Sequence, residues 1–451
     1  MSTALIILAA GQGTRMKSDL PKVLHEVAHA PLLVHAMKSG AGFDPERTVI
    51  VAGHGAEQVA AVARDFDDRA EVVLQEKQHG TGHAVLCARD ALQGFTGDVI
   101  VLYGDTPFIR PETLEKMAEA RQTHDVVVLG FKASDPGRYG RLIMAGDVLE
   151  AIVEHADASI EERAINLCNS GVVCASNETL FGLLEGVSND NASGEYYLTD
   201  IVAIARARGL SATAVTCDET ETLGVNSRAQ LAEAEVAFQA RTRAEALDNG
   251  VTMQAPDTVF FAHDTVIGRD ALIEPNVVFG PEVTIESGAR IRAFSHLEGC
   301  HVSRGAVVGP FARLRPGAEL AENVHVGNFV EIKNATLAEG AKANHLTYLG
   351  DASVGQDTNI GAGTITCNYD GVMKHRTEIG ARSFIGSNTM LIAPVKVGDE
   401  AMTATSTTVN KDVPDGAMAI GRADQVNKPG MARKLMDMLR AKKAKRLKES
   451  K

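Results

Sequence analysis

From Thr3 to about Val225, short aliphatic and β-branched runs alternate with longer segments of helical spacing. Ala4–Leu8, Thr48–Val51, Val72–Leu74, Val99–Leu102 and Val126–Leu129 read as buried strands. Such alternation predicts a mostly parallel, Rossmann-like α/β sheet with helices on both faces, whose ligands sit beyond the carboxyl ends of the strands. Between Ser227 and Asn249 there is neither Gly nor Pro, and Leu231, Ala234 and Phe238 recur at helical spacing. This predicts one helix of about 35 Å at ~1.5 Å per residue, closed by Asn249-Gly250 and acting as a strut between two domains. Beyond it the period becomes six: Ile267, Ile273, Phe279, Ile285, Ile291 and Leu297, then after a five-residue step Val302, Val308, Leu314, Leu320, Val326 and Ile332. A period of six fits neither helix nor flat strand; it is the hexapeptide signature of a left-handed parallel β-helix, with about three repeats to a triangular coil. Breaks in register around Ala338–Ser353 and between Cys367 and Arg376 read as two inserted loops, where a solenoid commonly carries function. The expected layout is an α/β domain over 1–226, a linker helix over 227–250, a β-helix over 251–425 and a tail over 426–451.

Composition narrows the chemistry. The 451 residues carry 45 Lys+Arg against 58 Asp+Glu, a formal charge of −13, and no Trp. That balance speaks against a general nucleic-acid binder, which needs a basic footprint and stacking platforms. Six scattered cysteines without a C-x-x-C pair suggest neither zinc nor a disulfide framework and fit a reducing cytoplasm. The apolar run Ala4–Ala10 stops at Gly11 with no basic residues before it, so neither a signal peptide nor a membrane span is expected. Residues 428–451 carry a net +8 and read as a solvated, mobile tail, with contact to an acidic surface or RNA as the minor alternative. The remainder is −21, so phosphates must be held by a few placed cations, chiefly Arg15, Lys22, Arg315 and Lys333.

The run Leu8-Ala9-Ala10-Gly11-Gln-Gly-Thr-Arg15-Met follows the first strand, and Pro21-Lys22 comes soon after. The glycines let backbone approach a polyphosphate, while Arg15 and Lys22 can neutralise charge that moves during transfer. Tyr103-Gly104-Asp105 ends the Val99–Leu102 strand, where a carboxylate can hold Mg²⁺ against a triphosphate. The run resembles the signature of sugar-1-phosphate nucleotidyltransferases. Joined to a helix and a hexapeptide solenoid, the chain resembles the bacterial family that is both N-acetylglucosamine-1-phosphate uridyltransferase and glucosamine-1-phosphate N-acetyltransferase, from its start to about Gln425. The resemblance implies that Leu8–Gly11 and Gln75 contact uracil and ribose, joined by Gly80-Thr81. It implies that Tyr103, Gly140, Glu154 and Asn169 line the sugar pocket, and that Asn226 is a second magnesium ligand beside Asp105.

The solenoid offers a second site. Arg315 and Lys333 are 18 residues apart, one coil height, and two bare cations so stacked repel; they read as a phosphate clamp. Arg313 and Glu331 share that spacing and could form an adjacent salt bridge, or Glu331 could orient a base. His345, in Asn344-His-Leu-Thr-Tyr348, is the side chain type best suited to take a proton at neutral pH. The resemblance makes His345 the acetyl-transfer base, acting on the 2-amine of glucosamine-1-phosphate as it attacks the thioester of acetyl-CoA. It assigns Arg315 and Lys333 to the sugar phosphate, with Tyr348 and Asn359 assisting. Ala362, Asn368, Tyr369, Ser387, Thr405 and Arg422 would contact acetyl-CoA, backbone near Ala362 serving the oxyanion. One departure stands out: Thr405-Ser406 replaces the family's Ala-Gly. The family is trimeric, with acetyl sites between subunits, so a homotrimer using UTP and both sugar phosphates is expected, and no membrane insertion. The alternative is a sugar nucleotidyltransferase of one activity, whose β-helix oligomerises or regulates.

Overall fold

The computed structural model describes residues 2–449; Met1 and the last two residues of the basic tail lie outside the described residues. Two compact units divide the chain. The first runs to Gly250 and takes in Ala255–Thr265 and Val278–Glu282; the second holds Val251–Gln254, Val266–Val277 and the chain from Val283 onward.

In the first unit the strands are β1 (Thr3–Ala9), β2 (Arg47–Ala52), β3 (Glu71–Leu74), β4 (Asp98–Tyr103), β5 (Val126–Lys132), β6 (Arg141–Ala145), β7 (Val148–Val153), β8 (Leu167–Ser176) and β9 (Ala212–Cys217). They order as β9-β5-β8-β4-β1-β2-β3, with the β6/β7 hairpin attached beside β8. All five expected strands are present. The near-continuous apolar letters of β1 are explained by burial on both faces. Ala4, Ile6 and Leu8 meet Val85, Leu180 and Ile201 on one side, while Leu5, Ile7 and Ala9 meet Leu33, Leu114 and Met117 on the other. The sheet departs from purely parallel at β8, which lies antiparallel between β4 and β5.

The expected long helix spans Arg228–Asp248, capped by the Ser227 hydroxyl accepting from the Gln230 N–H. It is not a free-standing strut. Ala234 and Phe238 pack with Met16, Val27, Leu32 and Phe108, and buried Gln239 exchanges hydrogen bonds with both the N–H and the carbonyl of Phe261. This helix is built into the first unit because its face at Ala234 and Phe238 is apolar.

The second unit is a left-handed parallel β-helix. Successive inward residues Ile273, Ile291, Val308, Val326, Ala343, Ile360, Ile385 and Thr403 pair in parallel register. Their spacing is 18, 17, 18, 17, 17, 25 and 18 residues. The expected loop within Ala338–Ser353 is therefore absent: the coil there is an ordinary 17-residue one whose inward place is taken by Ala343, which hides the aliphatic period. The other expected loop is real and creates the 25-residue coil, where Asn368–His375 folds back on itself through an antiparallel Tyr369–Lys374 bridge. One corner carries Phe294, Phe311, Phe329, Leu346, Gly363, Asn388 and Ser406, all at positive φ. Along it three exposed phenylalanine rings stack at 5.0 and 5.4 Å between centroids. The basic tail, read as mobile, instead forms a helix over Met431–Glu449 with no buried side chain.

Candidate active sites

In the first unit, Leu8–Gly11 leave the end of β1, Gln75 follows β3, and Tyr103-Gly104-Asp105 end β4. Together with Lys22, Gly80 and Thr81 these residues line a cavity of about 260 Å³, apart from Gly104, which packs behind it against Val23 and the Leu8 carbonyl. Gly13 has φ 62°, and a Cβ there would lie 2.6 Å from that of Lys22, so the turn can close over Lys22 only as glycine. The Lys22 ammonium donates to Asp105 Oδ2 at 2.5 Å and Asn226 Oδ1 at 2.9 Å. Val225 N–H, donating to the Asp105 carbonyl, ties the two oxygen-bearing segments together. A carboxylate and an amide oxygen thus already bracket one cation, a donor set suited to hard Mg²⁺ as well.

Beside this cavity, the Asn169 N–H donates to the Gly140 carbonyl at 2.9 Å. A Cβ on Gly140 would lie 3.4 Å from the Glu154 carboxylate, and Gly171 leaves room for the Tyr103 ring, which a Cβ would meet at 2.6 Å. Burial raises the Glu154 carboxyl above its ordinary range, and burial, then the Asp105 and Glu154 charges, push the Tyr103 phenol up. Gly140, Glu154, Asn169 and Tyr103 are therefore neighbours, as expected. Arg15 is not gathered in: its side chain is exposed on the Thr14–Met16 turn, outside the cavity lining. Gln78, whose amide donates to the Ala10 carbonyl at 2.6 Å, and Glu195 line the cavity without having been singled out in the sequence.

In the solenoid, Arg313 pairs with Glu331 and Leu314 with Ile332, which stacks Arg315 on Lys333. The closer ion pair is not the expected one. Glu331 Oε1 takes Arg315 at 2.7 Å, while Arg313 stands 4.0 Å from Oε2, so Glu331 is engaged by arginines and orients no histidine. The Lys333 ammonium is held below its ordinary value by the Lys374 side chain first and Arg315 after it. Lys374, from the inserted loop, is thus a third cation at this spot; it escaped notice because the loop has no period. Tyr348 pairs with Glu331, and its hydroxyl lies over Gly350, the register neighbour of Lys333. Asn368 is anchored, donating to Asp351 Oδ2 at 2.5 Å, and the Asp351 Oδ1 accepts from Asn334 at 2.6 Å.

His345 ends the strand Lys342–His345 and donates from Nδ1 to Asn328 Oδ1, 2.9 Å away on the preceding coil. An acceptor at Nδ1 leaves the lone pair on Nε2. Asn328 and His345 begin a row that continues through Ala362, Ser387 and Thr405 on successive coils. Backbone bonds from Leu346 to Asn328, Gly363 to Leu346, Asn388 to Ala362 and Ser406 to Ser387 knit it together. Arg422 joins by donating to the Thr405 carbonyl at 2.6 Å. Tyr369 stands exposed on the inserted loop. Asn359 pairs with Lys342 and Phe384, on a different face from Arg315, Lys333 and Tyr348, and is not brought to them.

A P-loop-free nucleotide cavity on a doubly covered sheet, followed by a hexapeptide solenoid, defines a two-part transferase. Residues 5–171 match the MobA-like NTP transferase domain, and residues 264–299 match the bacterial transferase hexapeptide (six repeats). The chain is 72% identical over 444 residues to the bifunctional protein GlmU of Ruegeria sp. (strain TM1040), covering 98% of this chain and 99% of that one. It is 70% identical to that of Ruegeria pomeroyi, with 100% of both chains covered, and 63% identical to that of Jannaschia sp. (strain CCS1), with 97% and 96% covered. The chain belongs to the GlmU family of bifunctional enzymes, with uridyltransferase and acetyltransferase activities. Among the described residues no helix is long and apolar enough to cross a membrane.

Proposed function

We propose that the solenoid acetylates glucosamine-1-phosphate from acetyl-CoA, and that the α/β unit then joins the resulting N-acetylglucosamine-1-phosphate to UTP. In the first reaction the sugar phosphate is held by Arg315, Lys333 and Lys374, with Tyr348 at the sugar. Nε2 of His345 takes a proton from the 2-amine as its nitrogen attacks the thioester carbonyl. Backbone N–H groups near Ala362 receive the oxyanion, the C–S bond breaks, and coenzyme A leaves as the thiol after taking up the proton. Ser387, Thr405 and Arg422 guide the coenzyme along the row that starts at His345; Asn368 positions the loop carrying Tyr369.

In the second reaction a phosphate oxygen of N-acetylglucosamine-1-phosphate attacks the α-phosphorus of UTP in line. The bond to the β-phosphate breaks and pyrophosphate leaves. Leu8–Gly11, Gln75, Gly80 and Thr81 seat the nucleoside; Gly140, Glu154 and Asn169 seat the sugar. Lys22 meets the phosphates inside the cavity, and Arg15 serves from its rim. Asp105 and Asn226 would hold Mg²⁺, which when bound neutralises triphosphate charge. The homotrimer is supported by the exposed phenylalanine stack and by Asn359, which can serve a sugar at Arg315 and Lys333 only from another subunit. Six unpaired cysteines support a cytoplasmic setting.

The observation that carries this reading is that the Lys22 cluster and the His345 row share no residue and stand on different units. His345→Ala is expected to abolish acetyl transfer while uridyl transfer stays within a few fold, and Asp105→Ala to do the reverse. Assays with UTP, acetyl-CoA and each sugar phosphate omitted in turn measure both. Loss of both activities in either variant overturns the two-site assignment.

A further inference from the structure

The helix Met431–Glu449 has no role in either reaction and buries none of its side chains. Its residues are nonetheless ordered by kind. Met431, Leu435, Met438 and Leu439 fall at i, i+4, i+7 and i+8, flanked by Ala432 and Met436, and make one apolar stripe. Arg433, Lys434, Asp437 and Arg440 take the opposite arc. The last two turns change character: Lys442, Lys443, Lys445, Arg446 and Lys448 surround the helix with positive charge. Leu435, Met436, Met438 and Leu439 are 47–61% exposed, a contiguous apolar surface of the kind that marks an interaction site. A helix of this length is marginal in water without a partner for its stripe.

Three occupants differ in what they offer. A second copy of the helix would set its net +7 over residues 428–449 against an equal charge. RNA would take the cations but leave the Met and Leu side chains in water, and the helix has no aromatic residue to stack on bases. An anionic bilayer surface accepts both, apolar stripe into the acyl boundary and lysines onto headgroup phosphates. We propose that this helix is an interfacial anchor that lays the enzyme on anionic lipid, lying on the membrane without spanning it.

The test is co-sedimentation of the full chain with vesicles of phosphatidylcholine alone or mixed equally with phosphatidylglycerol, at low salt. Binding is expected on the mixed vesicles and not on phosphatidylcholine, and deletion of 428–451 removes it. Lys442→Gln/Lys443→Gln/Lys445→Gln weakens partition by roughly a hundredfold, from the attraction of each lysine to an anionic surface. Leu435→Gln/Leu439→Gln weakens it at least tenfold while leaving net charge, oligomeric state and both transferase activities unchanged. The anchor is overturned if the mixed vesicles do not sediment the chain. It is equally overturned if the leucine variant binds like the parent, which leaves only charge, or if bulk tRNA displaces the vesicles. Self-association that depends on the tail would assign the stripe to a second copy instead.

Discussion

At the scale of single residues, the decisive contact is the one between Asn328 and His345. An amide oxygen can accept from Nδ1 but cannot supply charge, so it selects the tautomer with a free Nε2 without favouring imidazolium. Asn328→Ala is expected to lower kcat for acetyl transfer by roughly 10–100-fold, in the range of lost support around a working histidine. Asn328→Asp keeps the acceptor but adds a carboxylate, which favours the protonated ring and raises its pKa. The acid limb of the kcat/KM profile should then move to higher pH, and a profile that stays in place would exclude this role. Asn328 was not legible from letters alone: it lies 17 residues from His345, and only the register reveals that coils alternate between 17 and 18. Leu8–Gly11 and Lys22 were legible because one short run and the turn after it carry them. Arg15 in that same run points elsewhere, since neighbours in sequence on a turn need not share a face.

At the scale of elements, the strands and the long helix could be read because burial on two faces or one stripe leaves a regular apolar pattern. The inserted hairpin could be located, as a break, but not shaped. Its shape comes from Asp370, whose carboxylate accepts from His375 Nε2 at 2.7 Å and from the N–H groups of Val372 and Met373. The His375 contact, then those N–H groups, hold Asp370 well below the usual carboxylate range. A depressed carboxyl stabilises the hairpin above its unfolded pKa and loses that contribution as pH falls through the folded one. Asp370→Asn is therefore expected to loosen the delivery of Lys374 to Lys333. The KM for glucosamine-1-phosphate should rise several-fold with kcat nearly kept; a fall in kcat alone would place the hairpin in the chemical step instead. The coil around Ala343 shows the opposite lesson, for an alanine in the inward place mimics an insertion where the backbone runs on unbroken.

At the scale of the whole molecule, the stacked corner of Phe294, Phe311 and Phe329 leaves about half of each ring exposed. In an assembly through this corner, Phe311→Ser should shift light-scattering mass from trimer toward monomer and depress acetyl transfer, while uridyl transfer, seated on the other unit, persists. An active monomeric acetyltransferase would sink the shared-site reading. The row from His345 to Thr405 has its own consequence for heat and time. Coils of a solenoid are stabilised by their neighbours, and the last ones have a neighbour on one side only. Thr405 and Arg422 stand on those terminal turns. Fraying from that end erodes coenzyme affinity before it reaches His345, so acetyl transfer should fade first on warming. Acetyl-CoA, by bridging the end turns to the interior, takes the place of the capping repeat that a solenoid otherwise needs, and the enzyme is most durable while it is at work.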